Sequence, residues 1–316
     1  MIKNPITWPN GKRCAVAITF DEDSDSLVHL DYPDNAGSLV STTSWLRYGT
    51  EVGIPRILEM YRKYEIKQTF FIPAWVIERN PWTVEQILRD GHEIAHHGYM
   101  HEHPYKQTRE DELYWLQRGA EVIKKFTGKH PTGYRAPWFA FSENTADLLA
   151  QEGFLYDSSL MEDDVPYVLN SKSGRLIELP TDWSQDDYPQ YVHNDDFNYV
   201  MQIASPDRAM EVFLANFDAA WEYGGLWVSV WHPFNTGRPA RLRKVEQMIE
   251  YMQEKGDVWF ATMEEIALHV KKCIDDGSYK PREVNLPYYE GRIPETTKSE
   301  FARSITKQKL TTNRGI

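Results

Sequence analysis

Cysteine is nearly absent from this chain: Cys14 and Cys273 are the only two in 316 residues. That excludes a disulfide framework. One opens an apolar run and the other ends a helical pattern, so both are expected to pack as small hydrophobes. No apolar run approaches the roughly 20 residues needed to span a bilayer. The opening MIKNPITWPNGKRCAVAITF has no signal-peptide pattern, because its apolar run is short and ends in acids. A soluble, cytoplasmic protein is therefore expected. Basic residues are also in deficit, with 35 Lys and Arg against 47 Asp and Glu, a net charge of −12. Such a chain repels phosphate backbones and anionic lipid, so neither nucleic acid nor membrane is an expected partner. Finally, no Gly-rich phosphate fingerprint follows the first strand-like run, which leaves a nucleotide-binding fold without support.

What is present is a regular alternation. Strand-like runs are expected at 14–20, 68–76, 92–98, 132–138, 154–159, 175–183 and 226–233, with a last one opening 258–270. Helical patterns fall between them at 52–66, 81–91, 108–128, 142–153, 206–224 and 241–256. Residues 24–50 are polar, with Gly and Ser, and read as a long loop. Seven or eight βα units without a break in composition point to the α/β class and a parallel sheet closed into a barrel. An open doubly wound sheet is the alternative. The catalytic barrel is assigned to 1–273. Residues 274–316, polar with Pro-rich and Lys-rich patches, read as an arm or tail at the surface or at a subunit interface.

Ionisable residues gather at the ends of these strands: Asp21 and Asp23, then the run 96–103, Arg135, Asp157, Asp182 with Asp186 and Asp187, and His232. In a parallel barrel those ends meet on one face. The densest stretch is GHEIAHHGYMHEHP, which holds His92, His96, His97, His101 and His103, five of the ten histidines. Two imidazoles and one carboxylate can hold a divalent ion and leave positions open. His97 and His101 are four apart, as are His92 and His96. The first pair lies where the strand runs into its loop and is preferred. Asp21 and Asp23, in D-x-D spacing, share one side of an extended segment, so one can bind metal while the other stays free as a base.

The motifs TFDED, HHGYMH, YRAPW and VWHPF, taken in order, resemble those of the polysaccharide deacetylase superfamily, also called NodB-homology or carbohydrate esterase 4. The resemblance spans 15–270. The D-x-D spacing and the run YGTEVGIPRIL are most similar to the branch with cyclic imide hydrolases, metal-independent allantoinases and atypical peptidoglycan deacetylases. One departure is that Glu22 intervenes between two aspartates that are adjacent in the usual sugar-deacetylase motif. The resemblance implies a distorted (β/α)7-8 barrel of the NodB type. It implies a divalent metal, Zn2+ first and Co2+ or another transition metal next, on Asp23, His97 and His101. It makes Asp21 the general base, held by Arg135, and gives the backbone N–H of Trp138 to the oxyanion. It makes His232 the general acid, with Asp182 as the candidate to orient it and Asp186 and Asp187 as alternatives. Trp45, Tyr48 and Trp183 are candidate pocket walls.

A metal-dependent hydrolase of non-peptide C–N bonds is the reading that follows. A small amide, cyclic imide or ureide is favoured, because the 24–50 segment is expected to cover the mouth. N-deacetylation of peptidoglycan or another N-acetylated polysaccharide is the alternative. A non-catalytic metal- or sugar-binding protein is a third reading, opposed by the complete set of Asp21, His97, His101, Arg135 and His232. The relatives' habits suggest a homo-oligomer, with a tetramer as one form.

Overall fold

The computed structural model describes residues 2–289. Its strands are β1 (Cys14–Asp21), β2 (Thr69–Ile72), β3 (Glu93–His96), β4 (Gly133–Tyr134), β5 (Tyr156–Asp157), β6 (Tyr167–Asn170), β7 (Arg175–Glu178), β8 (His193–Asn194), β9 (Tyr199–Val200), β10 (Leu226–Trp231), β11 (Val258–Phe260) and β12 (Glu283–Asn285). Ten of them form one sheet in the order β10-β1-β2-β3-β4-β5-β7-β6-β12, with β11 also paired to β1. Every pairing from β10 through β1 to β7 is parallel, and only β6–β7 is antiparallel. The expected parallel α/β architecture is the one observed.

Among the described residues the ladder does not close. Between β7 and β10 the wall is carried by a single parallel bridge, Asp186–Val230. Side chains fill the seam. Gln185 Oε1 accepts from the Val228 amide at 3.1 Å, and Thr181 Oγ1 donates to the Val228 carbonyl at 3.4 Å. Pro180 contributes no amide to a ladder here, and Asp182 starts a 3-10 turn over Trp183–Gln185, so an eighth strand cannot form.

Residue parity decides what faces the barrel interior. On β1, Cys14, Val16, Ile18 and Phe20 pack outward against the helices, whereas Ala15 and Ala17 pack inward. Thr19 and Asp21 share the inward parity and lie above those alanines. On β3, Ala95 is inward and Ile94 outward. On β10, Val228 is inward, and Trp227 and Trp231 are outward. Small residues floor the barrel and the next inward positions carry polar groups. At β4, Gly133 is required by packing: a Cβ there would sit 1.9 Å from the Tyr156 ring.

One expectation is corrected. Residues 24–50 are not one long loop but contain helices Ser26–Asp31 and Val40–Tyr48. Leu27, Val28 and Leu46 bury against Tyr188, Val192 and Phe234, which supplies the stability that the Gly- and Ser-containing sequence conceals. β12 lies in the expected arm and extends the chain's own sheet by pairing with β6. Residues 290–316, the rest of that arm, lie outside the described residues.

Candidate active site

The loop after β3 is built to deliver two imidazoles. Gly98 has φ +75°, and Glu102 accepts from the amides of Tyr99 at 2.9 Å and Met100 at 2.6 Å. His101 itself sits at φ 72°, a left-handed conformation that a non-glycine residue holds only where its surroundings enforce it. The inward parity of Ala95 continues to His97. Its Nδ1–H donates to the Arg135 carbonyl at 2.7 Å, which leaves Nε2 free toward the pocket. His96 has the outward parity. Its Nε2 donates to the Leu116 carbonyl at 3.1 Å, and burial pushes it down to about 3. His92 accepts from the Gln68 amide at 3.0 Å, and His103 stacks on Trp138.

His97 Nε2 and His101 Nε2 lie 3.4 and 3.5 Å from Asp23 Oδ1. That oxygen is buried and, among the described residues, takes no hydrogen bond, and neither does His101 Nδ1. Three tetrahedral donors each about 2.0–2.1 Å from an ion stand about 3.4 Å apart. The separations and the orphaned oxygen fit a divalent ion on Asp23, His97 and His101. Burial would raise Asp23, but His101, His97 and His232 together hold its carboxyl well below the usual range. Burial pushes His101 down to about 3, into the neutral form that a metal needs.

Asp21 stands on the other side of this set. The Arg135 guanidinium donates to Asp21 Oδ1 at 2.5 Å, and Asp21 Oδ2 is 3.6 Å from His97 Nε2. Arg135 is fully buried. It also donates to Thr19 Oγ1 and to the Ser158 carbonyl and hydroxyl, and it lies over the Phe71 ring. Its backbone orients His97 while its side chain orients Asp21. Behind it, burial pushes the carboxyls of Asp157 and Glu178 up from the usual carboxylate range.

His232 follows β10 with the inward parity of Val228 and Val230. The expected partner Asp182 does not reach it: Asp182 caps its own 3-10 turn by accepting from the Ser184 amide at 2.6 Å. Asp187 takes that place. It receives His232 Nδ1–H at 2.7 Å, the His232 amide at 3.0 Å, Asn235 Nδ2 at 3.3 Å and the Thr236 hydroxyl. The reason is backbone geometry. The Asp187 amide donates to the Val230 carbonyl, and that contact carries the carboxylate to the His232 ring. Against the effect of burial, Asp187 first, then Asp23 and Asp186, push His232 up to about 10. Its Nε2 is 3.4 Å from Asp23 Oδ2.

These groups surround one cavity of about 110 Å3, walled by Trp138, Phe139, Trp183, Tyr188 and Tyr199. Of the expected pocket walls, Trp183 is present. Trp45 packs edge-on against Phe234, and Tyr48 lies under Arg238; neither lines the cavity. Phe139, Tyr188 and Tyr199 carry no signal in the sequence, whereas Asp186, an alternative there for the partner of His232, lines the cavity instead. The D-D pair was visible, but not which carboxylate faces His232. Trp138 has φ 60° directly after Pro137 and lines the cavity next to His101.

The family model described as polysaccharide deacetylase matches residues 9–156. The peptidoglycan deacetylase of Helicobacter pylori is 34% identical over 248 residues, 70% of this chain and 84% of that protein. Among solved structures, a putative polysaccharide deacetylase from Mycobacterium smegmatis is 40% identical with a TM-score of 0.84, covering 92% of this chain and 99% of that one. Puue allantoinase is 25% identical with a TM-score of 0.75, covering 85% and 95%. No helix among the described residues is long and apolar enough to cross a membrane. The chain belongs to the polysaccharide deacetylase family, whose members hydrolyse the C–N bond of an amide.

Proposed function

We propose that this chain is a metal-dependent N-deacetylase acting on peptidoglycan or another N-acetylated polysaccharide. The observation that carries the reading is the two-sided site. Asp23, His97 and His101 cluster around an unpartnered carboxylate oxygen, between an Arg-held Asp21 and an Asp-held His232. The names of the H. pylori and M. smegmatis relatives support the substrate class.

When bound, the metal would polarise the acyl oxygen and lower the pKa of water. Asp21 Oδ2, the oxygen away from Arg135, would take the proton of the attacking water. The backbone N–H of Trp138 would donate to the oxyanion. Proton delivery from His232 Nε2 to the nitrogen would let the C–N bond break, with Asp187 keeping Nδ1 protonated. The products are a carboxylate and an amine. Aromatic walls exclude water and seat the acyl group.

A second reading, hydrolysis of a small amide, cyclic imide or ureide, has its own support. The cavity is small, and the 26–48 helices cover one side of it by packing against the 188–199 segment. The Puue allantoinase likeness agrees with it. One assay separates the two: amine or acid release from N-acetylglucosamine oligomers and from cyclic imides, with zinc-loaded and chelator-treated protein. Turnover of oligomers alone supports the deacetylase. Turnover of imides alone replaces it with the second reading. Equal turnover after complete metal removal overturns the metal-dependent mechanism in both.

A further inference from the structure

Asp186 is left over by the chemistry above. It is buried and lines the same cavity as Asp21, Asp23 and His232. Yet it is not the partner of His232: its Oδ1 is 3.8 Å from His232 Nδ1, whose proton goes to Asp187 at 2.7 Å. The two adjacent carboxylates differ in what they have to bind. Four donors fill both oxygens of Asp187. Asp186 Oδ1 accepts from the Tyr188 amide at 2.7 Å, and among the described residues Oδ2 takes no hydrogen bond. The uncharged lining of the cavity includes Trp138, Phe139, Trp183, Tyr188, Tyr199 and Val230. A carboxylate oxygen among aromatic rings costs free energy unless something donates to it. Asp186 is also held in place: its backbone bridges to Val230, and its amide donates to the Trp183 carbonyl. It is a fixed acceptor, one residue from the proton-delivering pair, with an unmet valence facing the substrate space.

We infer that Asp186 determines specificity, accepting a hydrogen bond from an N–H or O–H that the substrate carries beside its scissile nitrogen. The inference rests on the amide-hydrolase reading of this site. His232 must stand at the leaving nitrogen, so the position next to it belongs to a group two or three atoms further along the leaving fragment. Two substrates offer that chemistry. In a 2-acetamido sugar it is the vicinal 3-hydroxyl. In a cyclic imide or ureide it is the second N–H. An amide with no such donor would leave Asp186 unpaired as it displaced water from the cavity, and the site would discriminate against it.

The experiment uses zinc-loaded wild type and D186N on two matched pairs. One pair is an N-acetylglucosamine disaccharide and its 3-deoxy analogue. The other is hydantoin and the derivative methylated on the nitrogen remote from the scissile bond. In at least one arm, wild type is expected to favour the donor-bearing member by about 10- to 100-fold in kcat/KM, the scale of a hydrogen bond to a charged group. D186N is expected to shrink that ratio to below about threefold, with bound zinc unchanged. The arm that responds identifies the source of the donor. If D186N keeps the wild-type ratio, Asp186 does not read that donor, and the hydrolase reading stands without it. If wild type shows no preference within either pair, the inference also fails. If wild type turns over none of the four, the hydrolase reading fails and this inference with it.

Discussion

Replacing Asp187 with Asn tests the acid half of the site. The change is nearly isosteric, but four donors converge on the carboxylate: the His232 amide, His232 Nδ1, Asn235 Nδ2 and the Thr236 hydroxyl. A carboxamide has one acceptor oxygen, so one side of the group must present N–H to N–H. Facing His232 Nδ1, it forces the tautomer with the proton on Nε2 and removes the charge that keeps the ring protonated. Facing the other way, it leaves the His232 amide buried without a partner. Each such loss costs about 1–3 kcal/mol, so D187N is expected to lose on the order of 2–4 kcal/mol of stability, roughly 5–10 °C in melting temperature. Loss of a positioned proton donor typically costs about 10²–10⁴ in rate, and kcat should fall within that range. Bound zinc should stay at the wild-type level, because Asp23, His97 and His101 do not touch Asp187. D182N serves as the control. Asp182 caps Ser184 alone, and its loss should change kcat/KM less than threefold. The assay is kcat/KM, zinc content and thermal melting on all three proteins. If D187N retained kcat within threefold, or if D182N were the more damaged, the assignment of the His232 partner would be wrong.

Other outcomes follow from the same geometry. H97A and H101A should each lose bound zinc, whereas H232A should keep it and lose turnover; metal analysis after dialysis separates the two classes. G53A would put a Cβ 2.5 Å from the Pro233 carbonyl, directly after His232, so kcat should drop at least tenfold with zinc retained. Glu93 is buried beneath the barrel, and burial pushes it up to about 7 against its bonds to Thr69, the Glu264 amide and Tyr156. A raised folded-state pKa gives stability that is present in full below about 4.5 and is lost as pH rises through about 7, an effect on the order of 3 kcal/mol. Denaturant titrations of wild type and E93Q at pH 5 and pH 8 should show the loss in wild type and a flatter profile in E93Q.

Much of the site can be read from sequence because strand parity writes it there. Asp21, His97 and His232 each stand two or four residues beyond a small inward residue, Ala17, Ala95 or Val228, and their motifs are local. Arg135 is found by the same logic beyond Gly133. What the sequence hides is long-range. Asp182, Asp186 and Asp187 are equivalent as sequence, and only the Val230 contact, more than forty residues away, selects Asp187. Trp45 and Tyr48 look like pocket aromatics, but they are taken up by Phe234 and Arg238, which no local pattern signals. The helices within 24–50 are missed because tertiary burial, not propensity, stabilises them.

The interrupted seam between β7 and β10 gives the two halves of the site different mechanical footings. The carboxylate and imidazoles fitted to the metal hang from β1 and β3, inside a continuous ladder. The His232–Asp187 pair straddles the seam, with Asp187 on one lip and His232 on the other, joined by one backbone bridge and a few side chains. On warming, the seam should part before the ladder does. Asp187 would then draw away from His232 while Asp23, His97 and His101 stayed together. Activity should therefore be lost at a lower temperature than bound metal, and metal before the sheet itself.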